Sequence, residues 1–242
     1  MKTLLRTLLL ALAVAAPVAR AAGPLYLNDA NPPRPLAWDT TKGPIPVWTD
    51  GGGAFTYDFD GVTPFITIER ANEITQFAFD QWSAVPTATL QAKIKGTIES
   101  RIGIADVTGA NAAQLYEKQN GYGFWVLYDT DGDILEDYFG VPKWAVLGIA
   151  FPEWADENGR IIEATALLNG WYVDAADTDG NRVAGVFTHE FGHAINLSHS
   201  QVNGPLVYSS YPFDGSRRYP GVPGCVDPVY RSDWYDDTVN RA

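Results

Sequence analysis

Thr188-His189-Glu190-Phe191-Gly192-His193-Ala194-Ile195-Asn196-Leu197-Ser198-His199 is the stretch that decides how the rest of this chain is read. His189 and His193 are four residues apart, so on a helix their imidazoles leave one face a turn apart and can converge on a single ion. Glu190 follows the first of them and can reach water on that ion without being a ligand itself. Val183, Phe187, Phe191 and Ala194 fall on the other side and can bury the helix, which the pattern starts near Asn181 and ends near Ile195. His199 lies too far along to join on a straight helix. Asn196 stands where the chain must bend back, and Asn is, after Gly, the residue most tolerant of the left-handed conformation that ends helices. Three neutral imidazoles would then leave one tetrahedral position open to water, the arrangement of catalytic zinc. All three histidines of the chain lie in this segment. Burying them together with no metal would be costly.

Composition limits the alternatives. The chain has 242 residues, one Cys, one Met and a formal charge of −12. With 46% hydrophobic and 13% aromatic residues it can bury a sizeable core. Lys and Arg are not clustered, which excludes a nucleic-acid or anionic-membrane partner. Cys225 is single, so an internal disulfide framework and a thiolate zinc cluster are both excluded. A metal site must therefore use His and carboxylates. Residues 1–21 read as a secretory signal peptide: Lys2 and Arg6 are basic, Leu8 to Ala16 is a short apolar run, and Ala19-Arg20-Ala21 fits a cleavage site. We expect Ala22 to begin the mature chain, which is more acidic, free of membrane spans, and secreted or periplasmic. Cys225 would then be free or paired outside this chain.

Residues 22–45, rich in Pro, Asn and Gly, predict an extended N-terminal arm and not a packed element. Residues 46–242 form the expected domain. Val47-Trp48 and the alternating Phe55, Tyr57 and Phe59 predict two strands around Gly51-Gly52-Gly53. Ala71, Ile74, Ala78 and Trp82 recur at helical spacing over 69–83, with Phe77 widening the stripe. Leu90, Ala92 and Ile94 predict a strand, continued by a second through Ile102 and Ile104. Asn111 to Asn120 predicts a short helix closed by Gly121. Phe124–Tyr128, Ala145–Phe151 and Ala164–Leu168 predict buried strands, the last turning at Asn169-Gly170. This order fits an α+β domain.

Two acidic tracts stand out. Asp129, Asp131 and Asp133 alternate around Gly132, an oxygen-rich loop that suits calcium, although Ile134 and Gly140 exclude an EF-hand. A solvated acidic turn reads equally from these residues. Asp174, Asp177, Asp179 and Asn181 form the second tract, where Asp179 or Asn181 can cap the following helix. The tyrosines between Tyr208 and Tyr219 offer hydrogen-bond donors, with nothing to choose among them.

The segment from His189 to His199 resembles the zinc signature of the metzincin peptidases, HExxHxxGxxH followed by a Met-turn. Ala78-Phe79-Asp80-Gln81-Trp82-Ser83 with Val85-Pro86 resembles the first helix of matrixin-like members. The resemblance implies a zincin-like α+β fold, with a twisted mixed sheet, an N-terminal helix, an active-site helix and a small C-terminal subdomain. It implies an exported zinc endopeptidase with His189, His193 and His199 as ligands, Glu190 as general base and a protein or peptide as substrate. It further implies that an edge strand, 145–151 or 164–168, pairs with the extended substrate. The sequence departs at two points. Asn196 replaces Gly, and the sole Met is Met1, so no Met-turn is present. We expect the chain to continue beyond Ala242. Two other readings remain open: a zinc-bearing binding module that does not cleave, and a metal-dependent hydrolase of non-peptide substrates.

Overall fold

The computed structural model describes residues 23–58, 60–171, 173 and 181–198. The leader, Phe59, the acidic residues 174–180, His199, the tyrosines after it and Cys225 lie outside the described residues.

In chain order the elements are β1 (Ala37–Trp38), β2 (Ile45–Thr49), β3 (Thr56–Tyr57), β4 (Pro64–Ile66) and α1 (Ile68–Ser83). Then follow β5 (Ala92–Thr97), α2 (Ile98–Ile102), α3 (Ala113–Tyr116), β6 (Gly123–Asp129), β7 (Gly148–Ala155), β8 (Arg160–Asn169) and α4 (Asn181–Ala194). The main sheet is mixed and mostly parallel. β5 pairs with β2, β2 with β6 and β6 with β8, all parallel, while β7 runs antiparallel along β8. This is the zincin-like α+β architecture that the resemblance implied.

β6 is buried along its whole length because both faces of the sheet are covered. Phe124, Val126 and Tyr128 join Ala164, Ala166 and Leu168 in a core shared with α1 and α4. Trp125, Leu127 and Leu167 face the other way, against Ile98, Val107, Leu115, Ile134 and Leu135. Thr67 caps α1 by accepting a hydrogen bond from the amide of Arg70, and Ala71, Ile74, Ala78, Phe79 and Trp82 form its buried stripe. Phe77, expected in that stripe, is only partly buried at its margin.

Several local expectations need correction. Ile102 ends a helix, not a strand: Thr97 and Ser100 form a reciprocal cap for α2, and Gly103 closes it at φ +82°. The helix expected over 111–120 shrinks to α3, because the Asn111 side chain accepts from the Thr108 amide and builds the turn before it. β2 and β3 do not pair with each other. β2 is an inner parallel strand, and β3 forms a separate small sheet with β4. The strand expected from Ala145 begins at Gly148, since Ala145 closes a turn onto the Pro142 carbonyl. The arm is extended but docked: β1 pairs with the start of β8, and Trp38 is buried in the main core.

Candidate metal centre

α4 brings two of the three histidines together as their spacing requires. The Nε2 atoms of His189 and His193 lie 2.9 Å apart, and the rings stand at 86° to one another. His193 Nδ1 is 2.7 Å from the carbonyl oxygen of Leu197. A carbonyl only accepts, so Nδ1 carries the proton and Nε2 keeps its lone pair. Two ring nitrogens this close hold at most one proton between them. A divalent ion held by both lone pairs would take that proton's place. Paired imidazoles of this kind suit zinc.

The end of α4 shows how the chain turns after the second histidine. Asn196 adopts φ +79°. Its amide donates to the His193 carbonyl, and the Leu197 amide donates to that of Gly192. These are the paired bonds of a Schellman turn with Asn196 in the left-handed position, as the sequence anticipated for this residue. The same turn places the Leu197 carbonyl that orients His193. His199 itself lies outside the described residues.

Two indoles fix the helix that carries the pair. Trp82 of α1 donates to the Thr188 carbonyl over 2.9 Å, and Trp38 of the arm donates to the Ala194 carbonyl over 3.3 Å. The latter oxygen lies in the last turn of α4, where helix carbonyls lack intrahelical partners. Phe191 stacks on Phe79 with centroids 4.2 Å apart. The apolar side of α4 is thus clamped from beneath while the imidazoles leave from above. Reasoning from sequence missed Trp38, because the Pro-rich residues around it mask a single core aromatic.

Glu190 is buried, with 6% of its surface exposed. Gly148, at the start of β7, lies against it: a Cβ there would fall 2.9 Å from Glu190 Cγ and 2.8 Å from the Leu167 carbonyl oxygen. This glycine also escaped the sequence reading, since nothing local marks it. β7 has β8 as its sole strand partner among the described residues, whereas β8 is flanked on both sides. Of the two segments expected to form the edge, only β7 has that position.

The acidic loop converges as well. Asp129, Asp131 and Asp133 bring carboxylate oxygens within 4.8 Å of one another. Burial pushes Asp129 up to about 6, against the amides of Leu135 and Ile134, which donate to its two oxygens. Those bonds give Asp129 a structural task, tying the loop after β6. A buried acid that the sequence did not signal is Asp50. It accepts from the amides of Gly51 and Val107, and burial pushes it up to about 7.

Among the described residues, no helix is long and apolar enough to cross a membrane. Residues 138–220 match the family model described as Matrixin, in the peptidase M10 group. The interstitial collagenase of Bos taurus is 25% identical over 170 residues, which cover 66% of this chain and 28% of the collagenase. The chain therefore spans little more than a quarter of that relative's length. The matched segment contains β7, β8 and the histidine helix, and over that segment, with the mostly parallel sheet beside it, this chain is similar to the matrixin metallopeptidases.

Proposed function

We propose that this chain is an exported zinc endopeptidase in which His189, His193 and His199 hold the metal and Glu190 is the general base. The observation that carries the reading is the convergence of two Nε2 atoms at 2.9 Å, with the opposite nitrogen of His193 committed to the Leu197 carbonyl. Zinc, when bound, would supply Lewis acidity toward water and the scissile carbonyl.

The remaining tasks belong to the chain. Glu190 takes a proton from the attacking water and delivers it to the departing amine. Its burial beside Gly148 supports that role, because close packing holds the side chain in place for the transfer. β7 offers an edge to an extended peptide, whose main chain would add as a further strand. The likeness to a collagenase supports protein as the substrate class. Calcium at Asp129, Asp131 and Asp133 is a secondary part of the proposal, supported by the convergence of the three carboxylates.

The test is Glu190→Gln in the mature chain, assayed on casein and gelatin with and without chelator, with zinc content measured alongside. Loss of hydrolysis with zinc retained is the expected result. Unchanged hydrolysis would refute the mechanism. A wild-type protein that carries zinc and cleaves neither substrate would favour a binding module.

A further inference from the structure

Asn196 does more than bend the chain. Glycine adopts its φ of +79° without strain, so an asparagine here calls for a side chain with work to do. Its Oδ1 accepts from the Tyr26 amide at 2.7 Å. Its Nδ2 donates to the carbonyls of Tyr26 and Leu36, each at 2.9 Å. All three bonds reach the arm, about 160 to 170 residues earlier in the chain. The main chain adds more: Leu25 donates to the Asn196 carbonyl, and the Ser198 amide and hydroxyl both donate to the Gly23 carbonyl. Asn196 is only 2% exposed, so these bonds are made away from water. Further along the arm, Trp38 holds the Ala194 carbonyl. Residues 23–38 therefore form a strap across the exit of α4.

We propose that Asn196 is a positioning residue: it locks this strap onto the turn leading to His199, so that zinc affinity depends on the first residues of the arm. The inference rests on the reading of His199 as third ligand. Its physical basis is preorganisation. A turn already held by the strap has less freedom left to lose when the ion binds, and the same turn carries the Leu197 carbonyl on His193 Nδ1, a contact of the kind whose loss weakens metal affinity by about 10- to 100-fold.

Two variants of the mature chain test it, with zinc affinity measured by competition with a chromogenic chelator. Asn196→Gly keeps the backbone conformation and removes three bonds. Tyr26→Pro removes the donor to Oδ1 at a residue 45% exposed, where no core is disturbed. Both should weaken zinc binding by about tenfold or more while far-ultraviolet circular dichroism stays native, and Asn196→Gly should speed hydrogen exchange at the Tyr26 amide. A merely stabilising role would lower the melting temperature of metal-free and zinc-loaded protein alike and leave affinity unchanged. His199→Ala separates the two layers. If it leaves zinc affinity intact, the three-histidine reading fails. If it abolishes tight binding while both strap variants bind like wild type, the positioning inference fails.

Discussion

Trp82 donates its indole N–H to the carbonyl of Thr188 over 2.9 Å, joining α1 to the residue immediately before His189. The bond is buried, and it sits beside the Phe79–Phe191 stack. Hydrophobic packing gives the α1–α4 contact its strength but fixes rotation poorly, because aromatic surfaces tolerate sliding. A directional bond to one carbonyl sets the rotation of α4, and with it the direction in which both imidazoles leave.

Trp82→Phe keeps most of the apolar volume and deletes the donor. It should cost about 1–2 kcal/mol of stability, the net value of one buried hydrogen bond together with the smaller ring. Urea denaturation of the metal-free protein measures this. A variant as stable as wild type would show that packing alone seats α4.

Gly148→Ala tests the wall beside Glu190. The added methyl would meet a backbone carbonyl on one side and the Glu190 side chain on the other. The carbonyl belongs to the β7–β8 ladder and cannot move far, so the Glu190 side chain must yield. If Glu190 is the base, kcat should fall about tenfold or more, since small displacements of a reacting group are expensive. Zinc affinity should hold, because neither imidazole touches Gly148's added atom among its three nearest neighbours. Equal loss of zinc and activity would instead mean that the change collapses the site.

What the sequence could disclose was whatever repeats at short range. His189 and His193 announce their own geometry because four residues make about one helical turn. Asn196 announces a helix end because few residues accept its conformation. The stripe of α1 is legible for the same reason, and so are the short apolar runs within β6 and β8. Trp38 and Gly148 were not legible. Each matters through a partner far along the chain: the Ala194 carbonyl for one, the Glu190 side chain for the other. The strap is the extreme case, since Pro and Asn composition suggests an extended segment but carries no information on what it lies against. Ile102 misled because two isoleucines two apart imitate a strand, whereas the Thr97–Ser100 cap decided for a helix.

Asp50 supplies a prediction about pH. Its carboxyl is fully buried, and burial pushes it from 3.8 up to about 7, even though the amides of Val107 and Gly51 hold it down. Burial likewise raises Glu153 and Glu163 to about 7. An acid whose pKa is higher in the folded chain than in the unfolded one binds more protons when folded. Between the two values, each rise in pH then removes stability, and above the higher one the loss is complete. The metal-free protein should therefore lose stability steadily from about pH 4 to about pH 7 and change little beyond, as far as these groups are concerned. Asp50→Asn keeps an oxygen to accept from Gly51 and Val107 but has no charge to bury. Its urea midpoint should fall less than that of wild type across this window, so the variant gains relative to wild type as pH rises. Parallel curves for the two proteins would mean that Asp50 ionises in the fold as readily as in water, and that the amides of Gly51, Val107 and Tyr128, all of which donate to it, fully offset its burial.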